Sequence, residues 1–142
     1  MANELDIGRN LYHFYKFIMR PIHNDFTESD HISKLAEHLT DLVKSKYNYL
    51  CVAMPPRHSK SSMVTLAFPL WLLFQDPNTN IMIVTGSPKL AEKFGIQLRE
   101  YVRDLGHYFN VYLSNVKQAS THIMFCDKNG KLYRGNIMLA SS

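Results

Sequence analysis

The chain has 142 residues, of which 46% are hydrophobic and 20% are charged, and this balance excludes a chain that is disordered by composition. No apolar run approaches the roughly 20 residues of a membrane-spanning helix, and the N-terminus lacks a secretion signal, so we expect a soluble, intracellular protein of one domain or part of one. The formal net charge of +4 and the isoelectric point near 9.1 favour anionic partners, for which nucleotides and nucleic acids are the natural candidates.

The cysteines and histidines favour neither a disulfide nor a metal centre. Cys51 and Cys126 are the only cysteines, and each lies within an apolar stretch, which is typical of small buried residues in a reducing compartment. The seven histidines form none of the spaced pairs that bind zinc. His31 and His38 would share a helix face, and a solvated or packed pair is the favoured interpretation.

Two helices are predicted near the N-terminus. The aromatic segment from Leu11 to Met19 ends before Arg20-Pro21, and a proline disfavours helix in the residue before it, so this helix is short. We expect it to pack onto the domain as an arm rather than to stack on bases. Thr27 or Ser29 then offers an N-cap for an amphipathic helix. Its apolar positions are Ile32, Leu35, Ala36, Leu39, Leu42 and Val43.

A strand and a polar loop follow. Tyr47 to Met54 is a β-favouring run that becomes continuously apolar, which predicts a strand covered on both faces in a parallel sheet. Pro55-Pro56 ends the strand, and the loop continues as Arg57-His58-Ser59-Lys60-Ser61-Ser62 into a helix. This arrangement is typical of a phosphate-binding loop, in which backbone N–H groups and the positive end of the next helix surround a polyphosphate.

The match to the usual loop pattern, G-x-x-x-x-G-K-[ST], is partial. Lys60 and Ser61 occupy the positions that act on phosphate and magnesium, whereas Met54 and Ser59 stand where the glycines would be. A serine at position 59 adds a Cβ and a hydroxyl, which would either crowd the nucleotide or donate a further hydrogen bond.

A helix, a strand and another helix are predicted after the loop. Ser61 to about Phe74 is strongly apolar and should be kinked at Pro69, and Asp76-Pro77-Asn78 makes a turn. Asn80 to Thr85 is predicted as a second buried strand, and a helix from Lys89 to about Leu105 follows it. The strand-helix-strand-helix order argues for a parallel sheet with right-handed crossovers.

The C-terminal part predicts a hairpin. Thr121–Asp127 and Lys131–Leu139 are strand-like runs, and Asn129-Gly130 between them fits a two-residue turn with positive φ.

Several spaced segments together resemble the N-terminal ATPase domain of the large terminase subunit, the DNA-packaging motor of tailed bacteriophages. The loop from Met54 to Ser61 is similar to the divergent phosphate loop of this family, P-P-R-H-G-K-S. The other segments that match are Phe68-Pro69-Leu70-Trp71, Asp76-Pro77, Ile81–Ser87, Leu90–Gly95 and Leu98-Arg99. The resemblance implies an α/β fold, an incomplete P-loop NTPase (ASCE-like) domain over residues 26–142, preceded by an aromatic arm over residues 1–25. Its parallel sheet core would be flanked by helices and followed by a C-terminal β-hairpin.

The resemblance also implies roles for individual residues in binding ATP and Mg²⁺. Lys60 would neutralise the β- and γ-phosphates, Ser61 would ligate Mg²⁺, and Arg57 is a candidate γ-phosphate sensor. A surface arginine is the alternative for Arg57. The remaining cofactor-binding candidates in the loop are Pro56, His58, Ser59 and Ser62, with His58 favoured as a polar residue that shapes the turn. Phe26 and His31 are the candidates to flank the adenine.

The family's acidic strand and water-positioning carboxylate are not found in this sequence. Ile123 to Asp127 is apolar with a terminal Asp, but Lys128 replaces the partner carboxylate and a hairpin end is favoured. Trp71 to Asp76 is the other superficial match, and it falls at the end of a helix. We therefore expect a domain truncated before the acidic (Walker B) strand and without the nuclease domain, which binds ATP but does not hydrolyse it alone.

The expected partners follow from the family. They are nucleotide, the remainder of the terminase, its small subunit, the portal and, for the intact motor, double-stranded DNA, in the host cell cytoplasm and without a membrane. The alternative is a non-catalytic module that docks through its incomplete sheet onto another terminase piece or a host antiviral sensor. A helicase-like P-loop enzyme unrelated to packaging is a third interpretation.

Overall fold

The computed structural model describes residues 10–19, 30–43, 62–116 and 119–141. The chain divides into two compact units, Met1–Phe68 and Pro69–Ser142. The predicted strand from Tyr47 to Met54 and the predicted N-caps Thr27 and Ser29 lie outside the described residues.

The first unit contains helices α1 (Leu11–Met19) and α2 (Asp30–Val43) and a π-helical segment, Ser62–Ala67. Asn10 caps α1, because its Oδ1 accepts hydrogen bonds from the backbone N–H groups of Tyr12 (2.9 Å) and His13 (3.3 Å). Helix α1 packs against both α2 and the π-helical segment. The buried side chains are Leu11, Phe14, Tyr15 and Ile18 on α1, Leu35, Ala36 and Leu39 on α2, and Met63, Leu66 and Ala67.

Both predicted N-terminal helices are therefore confirmed, with one difference in the apolar stripe of α2. Val43, predicted on the apolar face, is 45% exposed at the end of the helix. An irregularity is present next to Pro69, as a change from π-helical to α-helical hydrogen bonding at Phe68, whereas the kink itself stays a prediction. Proline has no N–H to donate to an earlier carbonyl, so a regular helix cannot run through this point.

The second unit contains most of α3 (Phe68–Gln75), β1 (Asn80–Thr85), α4 (Pro88–Leu105), a 3₁₀ turn (Gly106–Tyr108), β2 (Tyr112–Leu113), β3 (His122–Cys126) and β4 (Leu132–Ser141). Ser87 caps α4, since its Oγ accepts a hydrogen bond from the N–H of Leu90 at 3.2 Å, and Pro88 opens the helix. The apolar face of α4 buries Ala91, Gly95, Leu98 and Val102. The predicted turn after α3 is present, with the N–H of Thr79 donating to the carbonyl of Asp76 at 3.1 Å.

The strands form one four-stranded sheet in the order β1-β4-β3-β2. β1 pairs with β4 in parallel, from Asn80↔Asn136 to Thr85↔Ser141, whereas β4–β3 and β3–β2 are antiparallel. The sheet of the described residues is thus mixed: it contains one parallel pair and the predicted C-terminal hairpin, while Tyr47–Met54, the first strand of the predicted parallel core, lies outside the described residues. The sheet is mixed because β4, the second strand of the hairpin, pairs with β1 in parallel, whereas β3, the first strand of the hairpin, runs antiparallel to β4.

The sequence predicts β1 as a buried strand, but in the structure only one face of β1 is covered. Met82 is 64% and Val84 is 62% exposed, while Ile137 and Leu139 on β4 are buried. Helix α4 contacts all four strands on the buried face. Successive side chains of a strand point to opposite faces, so coverage by α4 on one side leaves the other side of β1 open.

The hairpin between β3 and β4 is confirmed, but its turn differs from the prediction. The N–H of Gly130 donates to the carbonyl of Asp127 (3.0 Å), and the N–H of Asp127 donates to the carbonyl of Lys131 (2.9 Å). Gly130 has a φ of 84°, whereas Asn129 does not have a positive φ. The loop is therefore Lys128–Gly130, with the glycine in the left-handed region after an ordinary turn, in place of the predicted two-residue turn.

Candidate functional site

Most of the predicted nucleotide-site residues lie outside the described residues. These are Phe26, Pro56, Arg57, His58, Ser59, Lys60 and Ser61. His31 lies in the first turn of α2 and Ser62 opens the π-helical segment, and only their backbone positions are described. The geometry of the phosphate loop and of its magnesium ligand Ser61 thus stays a prediction.

The described chain resumes at Ser62 in a helical segment, where the sequence predicts a helix. Ser62–Ala67 is helical, and Met63, Leu66 and Ala67 are buried. The hydrogen bonding here is π-helical, which is rare and often accompanies functional sites in proteins. The segment that follows the predicted loop in sequence is thus helical and has buried side chains.

The carboxyl ends of β1 and β4 form a second place of functional interest, which the sequence analysis did not single out. Thr85 is 9% exposed, and its Oγ1 lies 2.8 Å from the carbonyl oxygen of Ser87 and 3.4 Å from that of Ala140, so the hydroxyl links the two strand ends. A Cβ added at Gly86 would meet nothing within 4 Å, so there is room for a side chain at this position. Ligands of α/β sheets commonly bind outside the carboxyl ends of parallel strands. The polar triplet Thr85-Gly86-Ser87 after an apolar strand is the signal that would have marked it.

Asp127 does not lie at that edge. It follows β3 and precedes β4, whereas Ser141 ends β4, so the length of β4 separates them by roughly 30 Å. The Oδ1 of Asp127 accepts hydrogen bonds from the N–H groups of Asn129 (2.8 Å) and Lys131 (3.0 Å). Its carboxylate therefore stabilises the hairpin turn, which agrees with the preferred interpretation of this residue.

The other acidic match, from Trp71 to Asp76, is helical as expected. It belongs to α3 up to Gln75, and the Oδ1 of Asp76 accepts a hydrogen bond from the N–H of Asn78 at 3.0 Å in the turn that follows. In the described ranges no group of three or more His, Cys, Asp or Glu side chains could hold a metal ion.

Cys126 behaves as a packed apolar residue. It is 7% exposed and forms no disulfide, while Cys51 lies outside the described residues. Burial, and secondly the charge of Asp127, raise the pKa of the Cys126 thiol, so it stays protonated at neutral pH.

None of the helices over the described part of the chain has both the length and the apolar character that crossing a membrane requires. Comparisons with protein-family models, with curated proteins and with solved structures give no match to this chain.

Proposed function

We propose that the chain is the N-terminal ATPase-domain fragment of a phage large terminase subunit, the ATP-driven motor that packages viral DNA into procapsids in the host cytoplasm. The observation that supports this most is the loop from Pro55 to Ser61, because it combines a Lys-Ser pair with the proline and arginine positions of the family's divergent phosphate loop. The α/β character of the described residues, with β1 where the family pattern predicts a strand, is compatible with the proposal.

In this proposal Lys60 neutralises the β- and γ-phosphates of ATP and Ser61 ligates Mg²⁺. Arg57 approaches the γ-phosphate, and Phe26 and His31 flank the adenine. We expect turnover by this chain alone to stay near background, because the sequence carries no acidic pair of the kind that orients the attacking water, and the candidates Asp76 and Asp127 accept hydrogen bonds within turns. The remaining terminase, the small subunit and the portal are the proposed partners, with DNA as the substrate of the intact motor.

Titration calorimetry with ATP and Mg²⁺ tests nucleotide binding. Lys60→Ala should weaken binding about 10- to 100-fold, because a charge-assisted contact with phosphate is lost. Lys128→Ala, which removes an equal charge from an exposed hairpin position, should leave the affinity unchanged. Equal affinities of wild type and Lys60→Ala, with both proteins folded by circular dichroism, would remove the basis of the proposal.

A second candidate function, docking of a partner protein, is favoured by the open face of the sheet. Met82 pairs with Met138, and the exposed fractions of Met82, Val84 and Met138 are 64%, 62% and 44%. Within the described residues β1 also lies at the edge of the sheet. Contiguous exposed apolar side chains beside an unpaired strand edge are typical of interaction surfaces. The partner would be another terminase piece or a host antiviral sensor.

Hydrophobic dye binding and sedimentation test this open face. We expect the double variant Met82→Gln/Val84→Gln to bind much less dye and to self-associate less than the wild type. Ile96→Gln, at a position that is 56% exposed on α4, is the matched control and should leave both properties unchanged. A monomeric wild-type chain that binds no dye would count against the docking function.

A further inference from the structure

An open pocket lies between the last turns of α4 and the segment that joins β2 to β3. Its volume is about 540 Å³, which falls in the range of small-molecule sites. None of the described residues that line it is acidic. The polar residues of the lining are Arg99, Arg103, Ser114, Asn115 and Ser120.

Arg99 is fixed in the wall of this pocket. Its guanidinium donates hydrogen bonds to the backbone carbonyls of Ser120 (2.6 Å), Ala119 (3.0 Å) and His122 (3.1 Å). These contacts hold the segment before β3 against α4. They leave part of the guanidinium fork unused, because an arginine has more N–H groups than these bonds engage. Arg99 is therefore rigid and still able to donate.

Arg103 adds a second positive charge one helical turn later. It is exposed, and within the described ranges neither arginine forms an ion pair, although Glu100 and Asp104 follow them directly in sequence. Burial, and secondly the charge of Arg103, lower the pKa of Arg99, as expected for the repulsion between two cations four residues apart on the same helix. An anion bound between them would offset this repulsion.

The other polar residues of the lining suit an oxyanion. The Ser114 Oγ accepts a hydrogen bond from the N–H of Val116 at 3.1 Å, and this bond bends the chain around Asn115. Asn115 and Ser120 are exposed and carry an amide and a hydroxyl that can donate to an oxygen ligand. Planar guanidinium groups with additional N–H and O–H donors are the usual partners of phosphate oxygens.

We propose that this pocket binds a phosphate group, which Arg103 contacts directly while Arg99, Asn115 and Ser120 supply further donors. The phosphate is either free or part of a nucleic-acid backbone. The site consists wholly of residues of the second unit and is separate in sequence from the loop at Pro56–Ser62. It therefore does not depend on the proposed nucleotide site.

Nuclear magnetic resonance titration of the full chain tests the pocket. The chain carries Lys60→Ala, so that phosphate binding by the loop lysine does not contribute to the measurement. The probes are inorganic phosphate and a short single-stranded DNA oligonucleotide. We expect the amide signals of Asn115, Val116 and Ser120 to shift on titration. Saturation by inorganic phosphate would identify free phosphate as the ligand, and saturation by the oligonucleotide alone would identify a phosphodiester. Absence of shifts at these amides with both probes would overturn the proposal.

The matched variants are Arg103→Gln and Arg134→Gln. Each removes one exposed arginine charge, and Arg134 lies on β4 outside the pocket lining. Arg103→Gln should weaken the binding of the effective probe about tenfold or more, whereas Arg134→Gln should not. An equal loss in both variants would overturn the proposal as well, because it would show attraction by net charge alone.

Discussion

At the scale of the residue, Gly135 sets how closely the turn before β1 approaches β4. Its N–H donates to the carbonyl of Pro77 at 3.0 Å, and the N–H of Arg134 donates to Oδ1 of Asn78 at 3.1 Å. A Cβ at position 135 would overlap the carbonyl oxygens of Pro77 and Thr79. Both obstacles are backbone atoms, so a larger residue would displace the turn itself.

We therefore expect Gly135→Ala to lower the free energy of unfolding by about 1–3 kcal/mol, the range for inserting a group into filled space. Gly86→Ala is the control, because a Cβ there meets nothing within 4 Å. It should leave stability unchanged or raise it by about 0.4–1 kcal/mol, because alanine restricts the unfolded chain. Urea unfolding of both variants checks this, and equal effects would contradict it.

Arg99 shows what sequence reasoning misses at this scale. The roles proposed for Lys60 and Ser61 come from the sequence alone, because a phosphate loop is defined by neighbouring positions along the chain. The acceptors of Arg99 are backbone carbonyls 20 to 23 positions away, and every residue offers the same carbonyl. Arg99 and these carbonyls come together only when α4 packs against β3, so no local sequence pattern predicts the pocket.

At the scale of the element, the hairpin illustrates a correct location with an incorrect turn. Asn129-Gly130 marks the turn because glycine adopts a positive φ without a steric penalty. The Asp127 carboxylate then binds the N–H groups of Asn129 and Lys131, and this arrangement lengthens the loop to Lys128–Gly130. Aspartate forms such turns with its own following backbone, a preference that competes with the Asn-Gly signal.

Substitution of Asp127 separates a turn-forming carboxylate from a catalytic one. Asp127→Ala should lower the free energy of unfolding by about 0.5–2 kcal/mol, comparable to the loss of a helix cap, because the bonds to Asn129 and Lys131 are lost. Asp127→Asn keeps an oxygen acceptor and should lose less, with ATP affinity unchanged. Urea unfolding and calorimetry measure the two quantities. A loss of ATP binding in Asp127→Asn would instead assign this carboxylate to the nucleotide site.

At the scale of the whole molecule, three of the four strands of the described sheet were predictable and their order was not. β1 begins and ends where its β-favouring run does, and β3 and β4 differ from prediction by at most two residues at each end. β4 lies between β1 and β3 because it pairs with both of them. The amino-acid pattern of a single strand does not show which other strands it pairs with. β2 was missed because Tyr112–Leu113 is too short to show an alternating pattern.

The same limit explains the open face of the sheet. The run Ile81–Val84 is apolar throughout, and such a run usually indicates a strand that is covered on both sides. The apolar composition of a strand shows that its side chains can be buried. Whether Met82 and Val84 are buried depends on which other elements pack against their face of the sheet. α4 reaches one face, and the other remains the part of the described fold that is best suited to an additional partner.

The central position of β4 gives it two partners at very different distances along the chain. Its pairing with β3 closes a short loop, whereas its pairing with β1 joins Asn80 to Asn136, which are 56 positions apart. The difference in chain entropy between the two closures is roughly 2–3 kcal/mol, and local contacts form sooner than distant ones. The hairpin can therefore form while β1 is still detached. We expect β1 to pair with β4 after the hairpin has formed, because the larger loop costs more chain entropy to close.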